Sequence, residues 1–389
     1  MENIVFRLPF ACLLPAQAFR RLPRAGTSPC TPRSINHSLP NFRLPYHATR
    51  RPLTHPPHLC YIPPPIPRRK RKPMLSYRHA YHAGNHADVL KHFTLYTVLN
   101  YYNQKDKPYW YIDTHAGAGL YDLHSSEANK VGEYQQGIAR LWAAHRLTPK
   151  ERPENYHSAD KGQPENHHPT AQKQPENQQP ASLAAFAQFA QTLVAHEAMT
   201  QLYAGSPLWA AQLLRPTDKL RLFELHPADF ALLQNNLHAL RLGKRAIAKQ
   251  EDGFAGLISL LPPATRRAVV LIDPPYERKQ DYAQVVHTLR DALKRFEQGC
   301  YMVWYPCLSR EESHTLPEKL AKLLPDNHLR AELHVHAPRA DGFGMHGSGM
   351  FILNPPYILD RVLREALPEL ARLLAQDNGA KFILNSQIR

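Results

Sequence analysis

Tyr111-Ile112-Asp113-Thr114-His115-Ala116-Gly117-Ala118-Gly119 reads as an apolar strand that ends in an acid and runs into a glycine turn. Open α/β sheets bind ligands at such strand ends, and glycine lets the backbone approach a ligand closely. A dinucleotide fingerprint would place another glycine three residues after Gly119. That position is Asp122, whose charge opposes a pyrophosphate. The turn therefore suits a cofactor without phosphates. Taken alone it is equally an ordinary tight turn, so its meaning depends on its surroundings.

Apolar strand-like runs recur on both sides of it. They are Tyr109–Asp113, Leu220–Leu225, Ala246–Gln250, Ala268–Asp273, Tyr301–Tyr305, Glu332–His336 and Met350–Leu353. Helix-like stretches such as Phe230–Leu240 and Tyr282–Phe296 separate most of them. Strands alternating with helices predict a doubly wound α/β sheet. Residues 133–203 break the rhythm with helical pattern and read as a helical insertion after the first βα unit. Within it, residues 148–182 repeat Pro-Glu-Asn at 153, 164 and 175 amid Gln, His and Lys, which predicts a low-complexity solvent loop. Proline in every repeat excludes a coiled coil.

Two acids stand at the next strand ends. Glu224, in Leu222-Phe223-Glu224-Leu225-His226-Pro227, is placed to accept hydrogen bonds from ribose hydroxyls. Glu251-Asp252-Gly253-Phe254 is an acid-plus-glycine turn that could bind the adenine amine of a cofactor. Each alone is an ordinary surface feature.

The strongest motif is Val269-Val270-Leu271-Ile272-Asp273-Pro274-Pro275-Tyr276. An exocyclic amine on a base is a poor nucleophile, because its lone pair is delocalised into the ring. A rigid turn can present the Asp273 carboxylate and the Pro274 carbonyl as acceptors for the amine hydrogens. That draws the nitrogen out of plane and aims its lone pair at a methyl sulfonium. The prolines fix φ and pre-organise the acceptors, and Tyr276 is expected to stack on the base. Proton removal would be by Asp273 or follow the transfer.

A similar string, Asn354-Pro355-Pro356-Tyr357, follows the last apolar run. The connection before that run is too short for a parallel crossover, which predicts an antiparallel strand ending on the opposite rim. Asn354 is therefore expected to be structural. The segment Tyr77–His92 is dense in histidine, and His82 and His86, four apart, would allow a metal pair on a helix. No third ligand is evident. A helix touching cofactor or RNA explains the polarity better, and no metal is expected.

The chain of 389 residues carries a formal charge of +15, and most of it lies before residue 74. Residues 1–73 hold 13 Lys or Arg against one acid, Glu2, with 15 of the 36 prolines. Such a segment buries too little apolar surface to order itself, so it reads as a disordered basic extension. A basic RNA-binding tail, an organelle transit peptide and sequence upstream of a true start at Met74 all fit it. The abrupt change of composition at Met74 favours the third. The body is nearly neutral, so total charge does not reveal a nucleic-acid surface. Cys12, Cys30 and Cys60 lie in the extension, and Cys300 and Cys307 show no metal-ligand spacing. A reduced, cytoplasmic, monomeric protein is expected. No apolar run approaches a membrane span of about 20 residues.

Together these motifs resemble the RlmJ family of bacterial 23S rRNA adenine-N6 methyltransferases. The resemblance runs from Met74 to near the C-terminus. It includes Met-Leu-Ser-Tyr-Arg-His at 74–79, His-Ala-Gly-Asn-His-Ala-Asp-Val-Leu-Lys-His at 82–92, the 113–119 turn, Gly-Glu-Tyr at 132–134, Pro207-Leu208 after Gly205-Ser206, Glu-Leu-His-Pro at 224–227 and Ile272–Tyr276. It implies a Rossmann-like, S-adenosylmethionine-dependent methyltransferase over residues 74–389 with a small helical insertion. It implies that Lys91, His92, His115, Gly117, Ser206, Glu224, Asp252, Gly253 and Asp273 line the cofactor site. It further implies catalysis by Asp273, an RNA-side contact at Tyr77 and adenine 2030 as the target. The extra 73 N-terminal residues and the longer 148–182 loop depart from the family but touch no motif. Residue chemistry alone leaves two alternatives: methylation of another exocyclic or amide nitrogen, and a non-catalytic RNA-binding protein of the same fold.

Overall fold

The computed structural model describes residues 79–145, 180–193 and 202–389. The basic extension, Tyr77 and nearly all of the 148–182 loop lie outside the described residues.

After a short 3-10 turn at His79–Tyr81 comes the long helix α1, His86–Asn103. Asn85 caps it, its side-chain oxygen accepting from the Ala87 and Asp88 amides at 3.0 Å. Its apolar residues leave no solvent face: Val89, Leu90, Phe93, Leu95, Val98 and Leu99 are all fully buried. The helix is buried nearly all round, and Asp88, Lys91 and His92 are buried with its apolar residues.

The sheet carries the expected rhythm. Its parallel strands are β1 (Trp110–Asp113), β4 (Lys219–Phe223), β5 (Ala246–Lys249), β6 (Ala268–Ile272) and β7 (Cys300–Cys307). Then come β8 (His328–His334), β9 (Gly347–Leu353) and β10 (Lys381–Gln387). Across the sheet the order is β10-β8-β9-β7-β6-β1-β4-β5. Chain order reverses at β1, between β4 and β6, so the carboxyl ends there open a crevice at the topological switch point. This is a doubly wound, Rossmann-like sheet. β9 runs antiparallel to both β7 and β8, as the short connection requires.

The crossovers are α5 (Ser206–Leu213), α6 (Pro227–Ala239), α7 (Gly253–Leu260), α8 (Lys279–Arg295) and α9 (Glu311–Ala321). One apolar core joins the α1 side of the sheet to α5 and to the amphipathic C-terminal helix α10 (Leu359–Leu374). A second packs the other face against α8 and α9.

The insertion differs from the sequence reading, which places it at 133–203 after the first βα unit. Two short strands, β2 (Leu120–Asp122) and β3 (Leu202–Ala204), pair antiparallel at its neck. It therefore starts at Leu120 and lies inside the first βα unit, between β1 and its crossover helix α5. Between the neck strands stand α2 (Ser126–Val131), α3 (Ile138–Ala144) and α4 (Ala181–Thr192). Three-residue strands carry no visible period, which is why the neck is silent in sequence.

Candidate active site

The glycine turn after β1 and the Asp-Pro-Pro corner after β6 open into one pocket. Its walls include Lys91, His92, His115, Gly117, Ser206 and Glu224. They also include Asp252, Gly253, Asp273 and Pro274. Every cofactor-site residue expected from sequence is brought together there.

The turn is built by Asp113, which is fully buried. One of its oxygens accepts from Ser206 Oγ at 2.7 Å and Tyr111 OH at 2.9 Å, and the other from the His115 amide at 3.2 Å. Burial outweighs these bonds and lifts its carboxyl to about 6. Ser206 thus lines the pocket while its hydroxyl serves Asp113. Gly117 has φ +61, and a Cβ there would stand 2.2 Å from Tyr121 OH. The position needs glycine for both reasons.

Glu224 reaches back across the crevice. Its oxygens accept from the Gly117 and His226 amides, both at 2.7 Å, and burial raises its pKa. Each oxygen keeps a free lone pair for a further donor. Asp252 caps α7, accepting from the Phe254 amide at 2.9 Å. A Cβ on Gly253 would stand 1.9 Å from the Thr114 carbonyl oxygen, so α7 begins pressed against the β1 turn.

Two pocket histidines are neutral. Burial pulls both His92 and His115 down to about 3. His92 Nδ1 lies 2.6 Å from Tyr203 OH, while its Nε2 is buried with no partner. An orphaned buried nitrogen beside a crevice marks a place for a ligand group.

The corner is wired to α1. Lys91 Nζ lies 2.6 Å from Asp273 Oδ2 and 2.8 Å from Asp88 Oδ1. Asp88 also accepts from the Gly84 amide at 2.8 Å and faces His79 Nε2 at 2.9 Å. Burial opposes the Lys91 charge, but Asp273 and Asp88 outweigh it and hold the ammonium well above the usual lysine range. Burial likewise opposes the Asp88 charge, yet His79 and Lys91 hold its carboxyl well below the usual range. Sequence reading places Lys91 only in the cofactor wall. Its reach to Asp273, 182 residues away, follows from α1 packing under the corner.

Tyr276 corrects the sequence reading. It is 2% exposed, and its hydroxyl donates to the Trp304 carbonyl at 2.8 Å. Its ring packs on Tyr282 at 4.6 Å, so it offers no face for stacking on a base. Its φ of +51 is a costly conformation for a bulky residue. The side chain is an anchor that pins the turn carrying Asp273 and Pro274.

The His82–His86 helical pair that the spacing would allow, and that the sequence reading sets aside, is not built by α1. His82 precedes α1 and lies 3.0 Å from Glu133, whereas His86 is the helix's first residue. Sequence reading also passed over Cys307, Glu332 and His334, whose ligand atoms lie within 4.8 Å of one another. Glu332 is already engaged by Tyr305 at 2.7 Å, Arg330 at 2.7 Å and His334 at 3.1 Å. Burial also holds the Cys307 thiol protonated. Glu332 is thus the centre of a satisfied hydrogen-bond network that takes in His334, with Cys307 beside it as a buried thiol.

Asn354 lies on the opposite rim, where Leu353 pairs with Tyr301 near the start of β7. Its side-chain nitrogen donates to the Glu297 and Gly299 carbonyls at 2.6 and 2.8 Å, and its oxygen accepts from Asn327 at 2.9 Å. With φ +54 it holds a turn. Asn354→Ala should cost about 1–3 kcal/mol of stability and leave kcat unchanged. Denaturant unfolding beside steady-state kinetics checks both, and a hundredfold fall in kcat at intact stability would return Asn354 to the chemistry.

Comparison with known proteins agrees with this geometry. The family model described as ribosomal RNA large subunit methyltransferase D, RlmJ, matches residues 106–156 and 156–384. The chain belongs to the RlmJ family. The ribosomal RNA large subunit methyltransferase J of Haemophilus influenzae is 38% identical over 309 residues, 79% of this chain and 97% of the relative. Its Escherichia coli counterpart is 39% identical over 300 residues, 76% of this chain and 93% of the relative. A solved protein of Legionella pneumophila superposes with a TM-score of 0.64 at 29% identity, covering 79% of this chain and 98% of that one. RlmJ membership and the Rossmann-like sheet thus agree with the sequence reading. Among the described residues no helix is long and apolar enough to cross a membrane.

Proposed function

We propose that this RlmJ member methylates the exocyclic N6 amine of an adenine in 23S rRNA, using S-adenosylmethionine. The observation that carries this is one pocket holding both the phosphate-averse glycine turn and the Asp273-Pro274 corner. Large-subunit rRNA methyltransferases at 38–39% identity support it.

The residues present fit the cofactor. Glu224 has lone pairs for ribose hydroxyls, and Asp252 keeps an oxygen for an adenine amine. His92 Nε2 awaits a partner. The pocket's lysine, Lys91, is already spent on two carboxylates, which leaves it unsuited to a phosphate. When bound, S-adenosylmethionine supplies an electrophilic methyl group.

The chain's own residues prepare the acceptor. Asp273 accepts one amine hydrogen through its carboxylate, and the Pro274 carbonyl accepts the other. Two acceptors on a rigid turn pull the nitrogen toward a tetrahedral shape and free its lone pair. Lys91 fixes the Asp273 carboxylate at one oxygen. The proton that the amine loses has Asp273 as its nearest acceptor. We assign the activity to residues 74–389, with Tyr77 on the RNA side and adenine 2030 as the target.

The test is incubation of the full chain with methyl-labelled cofactor and protein-free 23S rRNA, followed by mapping of the modified nucleotide. Label on adenine N6 is expected. Label on protein alone, or on a base other than adenine, overturns the reading.

A further inference from the structure

We propose that Phe343, on the loop between β8 and β9, is a stacking platform for an unpaired rRNA base beside the target adenine. This rests on the rRNA-methylation reading and extends it to a substrate contact.

With Tyr276 buried, its ring offers no stacking face to a base. Three large aromatic side chains are markedly exposed among the described residues: Phe343 at 76%, Tyr357 at 69% and Phe382 at 39%. Tyr357 follows Asn354 on the opposite rim and packs edge-on to Tyr101 at 5.6 Å. Phe382 lies in the sheet's edge strand, β10. Phe343 stands on the catalytic rim.

Strand register shows why. Ile272 pairs with Val303, which sets Asp273 level with Trp304. β7 runs three residues further, to Cys307, and the loop returns there, the His346 amide donating to the Cys307 carbonyl at 3.1 Å. At about 3.3 Å per residue the loop's foot lies roughly 10 Å beyond the corner. That is too far to touch the base under attack, and within reach of a neighbour on the same strand.

The loop is built to present its ring. The Gly342 amide donates to the Arg339 carbonyl at 2.9 Å, and the Phe343 amide donates to Asp341 at 3.0 Å. Gly342 and Gly344 flank the ring at φ +71 and +90. The loop's first residues are tied down where the Ala337 amide donates to Asp377 at 3.1 Å. A Cβ on Gly342 would lie 3.7 Å from Ser309, which places this part of the loop beside the start of α9. Exposed arginines lead from the pocket to it: Arg278 in the pocket wall, Arg310 next to Ser309, and Arg339 on the loop. Unpaired RNA is recognised by stacking on aromatic rings, with arginines on its phosphates. A protein partner would call for a wider apolar surface than one exposed ring.

The test is steady-state methylation of 23S rRNA by the full chain and its Phe343→Ala, Phe343→Trp and Phe343→Leu variants. Phe343→Ala should raise the KM for RNA about tenfold, with kcat and cofactor affinity unchanged. Trp should restore KM, and Leu should not, because stacking needs a π-face. An unchanged KM in the alanine variant overturns the platform, as does rescue by Leu equal to that by Trp. A wild-type chain that methylates no rRNA overturns the functional reading and this inference with it, whereas normal wild-type turnover with an indifferent Phe343 sinks the inference alone.

Discussion

Asp273→Ala is expected to lower kcat by about 10²–10⁴-fold while cofactor affinity stays within a few-fold of wild type. The split follows from where the carboxylate stands. Asp273 sits at the corner after β6, while Glu224 and Asp252 occupy the strand ends on the far side of the glycine turn. Removing the Asp273 carboxylate takes away an acceptor for the target amine and leaves those contacts whole. Nor does it strand a buried charge, since Lys91 keeps Asp88 at 2.8 Å. Single-turnover methylation of rRNA, beside calorimetric titration with S-adenosylmethionine, separates the two quantities. Near-normal turnover would remove Asp273 from the chemistry. Loss of cofactor binding equal to the loss of rate would make it a cofactor ligand only.

The order of strands and the rim of each motif were legible in sequence because they rest on strong periodic signals. Four buried parallel strands and the half-exposed edge strand β5 read as apolar runs, and the short link before β9 forced an antiparallel strand. That single inference set Asn354 on the far rim and separated two nearly identical strings. What stayed hidden has physical causes. β10 is a polar edge strand, with Lys381, Asn385 and Gln387 along it, so composition conceals it. The neck strands β2 and β3 are too short to show a period. Tyr276 was misread because a motif gives a residue's type and not its direction. The positive φ after two prolines turns its ring inward, onto Tyr282 and the Trp304 carbonyl. The link from Lys91 to Asp273 is tertiary, and no local pattern announces it.

Lys91→Met carries the second large effect, on stability and on rate together. The Lys91 and Asp88 side chains are 5% and 1% exposed. Removing one partner of so buried a pair costs about 3–5 kcal/mol, because the remaining charge is left short of compensation. Asp88 would keep His79 and the Gly84 amide, which sets the loss toward the lower end. The pH dependence has a definite sign. Asp88 is depressed in the folded state, so its contribution is present above its ordinary value of 3.8 and fades as pH falls toward the folded value. Lys91 is raised, so its contribution is full below 10.5 and fades only as pH climbs through the folded value. Wild-type stability from this pair is therefore flat through neutral pH. In Lys91→Met, burial acts on Asp88 with less opposition and lifts its folded pKa, so less stability should be lost on acidification and the gap to wild type should narrow as pH falls. Urea midpoints at pH 7, 5 and 4 read this directly. Pairing Lys91→Met with Asp88→Leu should recover much of the stability by removing both charges buried on α1. Methyl transfer should stay impaired in that double variant, because Asp273 still lacks the ammonium that fixes its carboxylate. Recovery of full turnover along with stability would make Lys91 a packing residue, and the orientation of Asp273 would then rest on the Pro274-Pro275 turn alone.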